Sequence, residues 1–358
     1  MRFVLKTGYG QDLDLFKHNG QRIWYGALMV AVLGVPFIVG DFYVGELSFV
    51  FIYAIAGIGL MLLVGYTGLV SLGHAAFLAI GAYSHAYLLN RGVPWPVAIT
   101  LATMLSSGVG AIVAIPALRM TGIYLAVATL AFLFIVEQIL THWVSVTGGF
   151  RGMAVPGAEI FSVSLMSAEA FYYLAFSVLV CCLIGSLNVL RSPTGRAMIA
   201  IRDSEISAQS MGINLARTKT VAFALSAGFT GLAGALLAHK IGYLAPDAFG
   251  LSLSIQLLVM VVVGGLGSLH GVIYGAIFIG LLPQAIAVLR DVLPTAIGQI
   301  PGLEPAVFGA ILIAFLIYEP LGIYGRWVKV RLFFSEFPLY RRATYKRQKS
   351  YLRTERVR

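Results

Sequence analysis

Ten runs of apolar residues, each about as long as a bilayer is thick, leave this chain few ways to fold. They are Ile23–Gly40, Leu47–Gly65, Ser71–Leu89, Pro96–Leu118, Ile123–Leu140, Phe171–Leu190, Val221–Ala238, Leu251–Leu269, Val272–Leu289 and Ala306–Tyr324. Crossing the hydrocarbon takes about 20 helical residues, and inside it a backbone must satisfy its own N–H and C=O groups. Only 11% of the residues are charged, where a soluble domain carries about 25%. With a mean hydropathy of +0.89, no water-facing surface can be assembled. The expected fold is an all-α polytopic membrane protein with about ten transmembrane helices. The third run is richer in small and polar residues and is a candidate re-entrant segment. The tenth is the weakest, with Glu319 and Pro320 near its end. The polar lead before Ile23 argues for an uncleaved first helix rather than a signal peptide.

Lys and Arg stay on the cytoplasmic side of membrane proteins, so their positions set the orientation. With both termini cytoplasmic, that side receives Arg2, Lys6, Lys17, Arg22, Arg119, five basic residues between Arg191 and Lys219, and all eleven from Arg326 to Arg358. Only Arg91, Arg151, Lys240 and Arg290 of the 25 then lie outside. The division is a cytoplasmic segment 1–22, a membrane domain 23–325 and a basic cytoplasmic tail 326–358. The net charge of +10 is thus read as a tail gripping anionic membrane lipid, with no nucleic acid as partner. Cys181 and Cys182 are adjacent within an apolar run and offer neither a disulfide framework nor a metal site.

Between the sixth and seventh runs lies RSPTGRAMIAIRDSEISAQSMGINLARTK, residues 191–219. It gathers Arg191, Arg196, Arg202, Arg217, Lys219, Asp203 and Glu205 in a chain that is otherwise sparing of charge. Residues Ile199 to Met211 are expected to form one short amphipathic helix. Asp203 and Glu205 suit its N-terminal turn, and Gly212 and Asn214 its end.

Glycine recurs at Gly228, Gly231 and Gly234, and again at Gly267, Gly271 and Gly275. Such spacing lets helices approach closely in lipid. The clusters GYTG (Gly65–Gly68) and VGGLGSLHG (Val263–Gly271) point to broken backbone, which membranes tolerate where it is enclosed by protein or lines a cavity. Ionisable groups within the runs are few: Glu137, His74 and His85. They are functional candidates because burial is costly, though an interfacial position or a bond to a neighbouring helix also accounts for them. Nothing assembles a catalytic group. The dipeptide GK never occurs, so no nucleotide-binding P-loop is present.

Four stretches in this order resemble a known family: GYTGLVSLGHAAFLAIGAY (Gly65–Tyr83), TGIYLAVATLAFLFIVEQI (Thr121–Ile139) with SVTGGFRGM (Ser145–Met153) after it, the 191–219 segment followed by SAGFTGLAGAL, and VMVVVGGLGSLHGVIYGA (Val259–Ala276). The chain resembles permeases of branched-chain amino-acid ABC importers, and among them the M-type (LivM-like) subunit. The resemblance implies a transport subunit of the bacterial inner membrane, not an enzyme, with no cofactor of its own and ATP bound by partner subunits. It implies a second, H-type permease chain, two cytoplasmic ABC ATPase subunits and a periplasmic substrate-binding protein. By the same likeness segment 191–219 couples to an ATPase, with Glu205, Ala208 and Gly212 matching the family's acidic–Ala–Gly pattern and Arg202 and Asp203 beside them. The substrate path would pass Thr67, Ser71, His74, Thr147 and Gly149. Related permeases carry urea, amides or other amino and organic acids. A secondary transporter driven by an ion gradient is the competing class; it calls for a titratable intramembrane cluster that the sequence does not show.

Overall fold

A chain that must bury its backbone in lipid builds helices, and helices are what form here. The computed structural model describes residues 19–120, 122–157, 159–160, 163–164, 167–292, 303–319 and 321–336. Most of segment 1–22 and the tail beyond Glu336 lie outside the described residues. In chain order the α-helices are α1 (Asn19–Ile38), α2 (Asp41–Thr67), α3 (His74–Asn90), α4 (Trp95–Ala117), α5 (Ile123–His142), α6 (Val144–Thr147), α7 (Ala168–Arg191), α8 (Pro193–Asp203), α9 (Glu205–Ser210), α10 (Leu215–Ile241), α11 (Leu251–Gly264), α12 (Leu269–Val292), α13 (Leu303–Tyr318) and α14 (Gly322–Glu336).

Among the described residues, seven helical stretches are long and apolar enough to cross a membrane: α2, α4, α5, α7, α10, α11 with its lead-in from Pro246, and α12. The protein is therefore a polytopic all-α membrane protein. The other three apolar runs form shorter helices: α3 has 17 residues, and the apolar parts of α1 and α13 are Arg22–Ile38 and Ala306–Phe315. The tenth run, read as one span to Tyr324, is instead two helices. α13 stops at Tyr318, α14 starts at Gly322 with φ +71°, and Glu319 is held by Arg326 at 2.7 Å.

At the centre stand α2 and α10, with α3 and α4 against α10, α7 against α2, and α12 paired with α11 and α2. The small residues explain the close fit. A Cβ on Gly81 would lie 2.0 Å from Gly231 O, so α3 and α10 meet backbone to backbone. Lipid is as apolar as leucine, and such packing is what holds membrane helices together.

One end of the bundle carries a small antiparallel sheet. β1 (Met153–Ala154) pairs with β4 (Tyr243–Leu244), Met153 opposite Leu244. A second hairpin pairs Glu159–Ile160 with Val163–Ser164. The opposite end carries α8 and α9, the C-terminus of α2 and the α11–α12 turn, joined by contacts described below.

Candidate functional site

α2 ends where the GYTG cluster predicts a break. Gly68 adopts φ +75°, its N–H donating to Val64 O and that of Leu69 to Leu63 O. This left-handed cap closes the helix and turns the chain back on itself. From Gly68 to Gly73 the backbone is irregular, and α3 begins only at His74. A 17-residue helix spans about 25 Å, short of the roughly 30 Å hydrocarbon core. The third run is thus a shorter helix preceded by an irregular lead.

Buried backbone outside a helix needs partners, and here side chains of α5, of α11 and of the lead itself supply them. Leu72 N–H donates to Thr129 Oγ1 of α5 at 3.0 Å. Leu72 O accepts from Ser254 Oγ of α11, and Gly73 N–H donates to Ser71 Oγ at 3.3 Å. His74 closes the joint. Its Nδ1 lies 3.0 Å from Ser71 Oγ and its Nε2 2.7 Å from Ser226 Oγ of α10. A neutral imidazole donates from one ring nitrogen and accepts at the other, so the two serines complete both of its bonds. His74 is fully enclosed and lines no open passage in this conformation. Among the described residues no carboxylate orients it, so the Ser71–His74–Ser226 chain works as a latch between α3 and α10 rather than as a hydrolytic group.

The remaining sequence candidates for the path are separated from this joint or committed elsewhere. Thr67 is buried and its hydroxyl donates to Leu62 O at 2.8 Å. Thr147 donates to Leu140 O at 2.6 Å and accepts from Gly149 N–H at 3.2 Å, shaping the turn at the sheet end. Gly149 sits there at φ +63°. His85 faces His239, with Nε2 atoms 2.8 Å apart, and Trp95 Nε1–H donates to His239 Nε2 at 2.8 Å. An open groove on α5, lined by Phe134, Ile135, Gln138, Ile139 and His142, is not part of the joint.

Residues Ile199 to Met211, expected as one helix, are divided between two. Ser192 accepts from Gly195 N–H and caps α8; Ser204 accepts from Ser207 N–H and caps α9; Asn214 accepts from Arg217 N–H and caps α10. Each is the side-chain oxygen that a helix start favours. Ser204, extended at φ −165°, splits the expected helix in two. Asp203 therefore ends α8, and Glu205 begins α9. Gly212, at φ +81°, does terminate α9, whereas Asn214 opens the next helix. The segment's last five residues, Leu215 to Lys219, already belong to α10.

The charges of this segment have specific partners. Arg202 donates from Nη1 to Gly65 O at 3.1 Å and pairs with Asp203 at 3.1 Å. A cation on an unpaired carbonyl of the last helical turn satisfies it and opposes the helix dipole. The same guanidinium lies against Gly267 of the α11–α12 turn, and its stem against Gly68. Arg202 thus stands between both glycine breaks. Lys219 was countable in the sequence only as a loop charge; it is in fact 1% exposed on α10. Its Nζ lies 2.8 Å from both Oε1 and Oε2 of Glu205. Ala208, on α9, is buried, while Ile206 and Met211 stand 83% exposed at the tip.

The sequence missed Lys219, Ser226, Thr129 and Ser254 as site residues. Each acts through a partner on a distant element, and only the buried polar type of residue could have flagged them.

Comparison with known proteins fits this geometry. The family described as branched-chain amino acid transport system / permease component matches residues 42–316. The chain is 32% identical over 329 residues to the high-affinity branched-chain amino acid transport system permease protein LivM of Escherichia coli (strain K12), covering 85% of this chain and 75% of that protein. The LivM of Salmonella typhimurium (strain LT2) gives the same figures. Likeness to LivH, the other such permease protein of Escherichia coli (strain K12), is 26% over 297 residues, 76% of this chain and 91% of that one. No solved structure matches. The chain belongs to the family of permease components of branched-chain amino acid transport systems.

Proposed function

We propose that this chain is the M-type permease subunit of an ABC importer that brings branched-chain or similar hydrophobic amino acids into the cytoplasm. It has no ATPase site of its own in this reading; two cytoplasmic ATPase subunits bind and hydrolyse ATP. A second, H-type permease subunit completes the path, and a periplasmic binding protein delivers the substrate. The subunit sits in the bacterial inner membrane with about ten spans and both termini cytoplasmic. The observation that carries this reading is the α8–α9 pair. A polar projection whose two helices are each capped by a serine, with Ile206 and Met211 exposed on it, is fixed to the bundle by Arg202 and Lys219, which suits a surface that a soluble motor pushes. Likeness to both LivM and LivH supports the paired permeases.

The path is proposed to run beside the Ser71–His74 joint and Thr67, and past the Thr147–Gly149 turn. A zwitterion with an apolar side chain needs a few polar groups along a mostly apolar passage, and no deep well that would stall release. Substrate choice within the family is wider than one solute: the chain is also 26% identical to the autoinducer 2 import system permease protein LsrC of Enterobacter sp. (strain 638). The test is uptake by the reconstituted assembly. Leucine, isoleucine or valine accumulating only with ATP inside and binding protein outside supports the reading. Uptake driven by an ion gradient without ATPase subunits overturns it.

A further inference from the structure

Two polar contacts tie segment 191–219 to the bundle beside its apolar packing, and the two lie on different helices. α8 is tied to the end of α2 through Arg202 and Gly65 O. α9 is tied to α10 through Glu205 and Lys219. Ser204 is the only residue between α8 and α9, and it is extended rather than helical. Through these two contacts, a displacement of α9 relative to α8 loads α10 against α2.

The same two helices meet again at the joint. Ser71, within the irregular 68–73 lead, and His74 just after it follow directly on α2, and Ser226 of α10 holds His74 at 2.7 Å. Lys219 and Ser226 are seven residues apart on one unbroken helix, so they share a face about 10.5 Å apart. Between them Ala222 and Phe223 pack on Leu63 and Leu69, which keeps that length of helix rigid. We propose that Lys219 is the positioning residue that carries movement of α9 to the Ser71–His74–Ser226 joint, with α10 as the strut. The proposal rests on the transport reading above.

A buried ion pair is a costly way to gain stability, and an apolar pair of similar volume holds a bundle as well or better. Its use here fits a contact whose direction matters. The ammonium is enclosed, while the carboxylate side chain remains 33% exposed. The pair is anchored at the strut and movable at α9.

The experiment uses the complete assembly in vesicles, with leucine as probe, and counts leucine taken up per ATP hydrolysed. Lys219→Met is expected to lower that ratio about tenfold, the scale of a typical coupling between sites. The reversed pair, Lys219→Glu with Glu205→Lys, is expected to recover most of it. Ser226→Ala, at the far end of the strut with the ion pair intact, is expected to lower the ratio as well. An unchanged ratio in Lys219→Met and Ser226→Ala overturns the proposal. If Lys219→Met does not assemble, Ser226→Ala decides alone. A wild-type assembly that takes up no leucine defeats the transport reading instead. The strut is then judged by hydrogen exchange at Leu72–Ala76: nucleotide alters it in wild type but not in Ser226→Ala if the strut exists, and equally in both if it does not.

Discussion

α10 and α7 are both spanning helices, and the less hydrophobic of them is the more deeply buried. The apolar window of α10 has a mean hydropathy of 1.8 and is 72% buried; that of α7 reaches 2.2 and is only 22% buried. In water the order would be reversed. In lipid there is no hydrophobic gain in moving a leucine from acyl chains to protein, so the interior goes to residues that pack closely or need partners. α10 shows both. Its glycines admit α3 to backbone contact, and its buried Thr218, Lys219, Ser226 and Thr230 each have a hydrogen-bond or ionic partner. α7 leaves Cys181 and Ile184 exposed and holds α2 with Phe171, Ala175 and Leu179.

This contrast orders the effects of substitution. The largest belongs to the α3–α10 contact. Gly81→Val places carbon where Gly231 O now sits and is expected to cost at least about 3 kcal/mol by overpacking, seen as loss of monodisperse protein in detergent. A melting temperature near wild type would show that the two helices separate easily. Next comes the ion pair, whose two halves are unequal. Glu205→Gln strands a buried ammonium and is expected to cost about 3 kcal/mol, whereas Lys219→Met leaves a carboxylate that can reach water and costs less. Thermal unfolding of the two variants compares them directly, and the reverse order would mean that Lys219 is hydrated.

His74→Leu removes the partner of two buried serines, at about 2 kcal/mol of stability, and is expected to lower uptake while ATPase binding persists. Normal uptake would remove the joint from the path. The smallest effect is on α7: Ile184→Ala is expected to change stability by less than about 0.5 kcal/mol. A larger change would mean that protein, not lipid, covers that face.

Much of the architecture could be read from the sequence because bilayer thickness dictates element length. Ile123–Leu140 and Pro96–Leu118 differ from α5 and α4 by no more than two residues at either end. The break before α3 was visible in Gly65–Gly68, since a left-handed cap needs glycine at Gly68. What escaped is non-local. Lys219 has a position in sequence like any loop lysine, and its partner Glu205 is fourteen residues away across a helix start. Ser204 could have been recognised as a cap ahead of Glu205, yet the continuous amphipathic pattern from Ile199 to Met211 hid the split. Thr67 and Thr147 were named through the family resemblance, and sequence could not show that their hydroxyls bond to backbone carbonyls of Leu62 and Leu140.

The most direct test of the account is where the tip of α9 lies and what it touches. Ile206→Cys, in a chain carrying Cys181→Ala and Cys182→Ala, is to be treated with a membrane-impermeant thiol reagent and, separately, with a crosslinker in vesicles bearing the ATPase subunits. The account predicts labelling from the cytoplasmic face, protection by the ATPase, and a crosslink to it. Labelling from the periplasmic face, or a thiol that the ATPase neither shields nor captures, contradicts it.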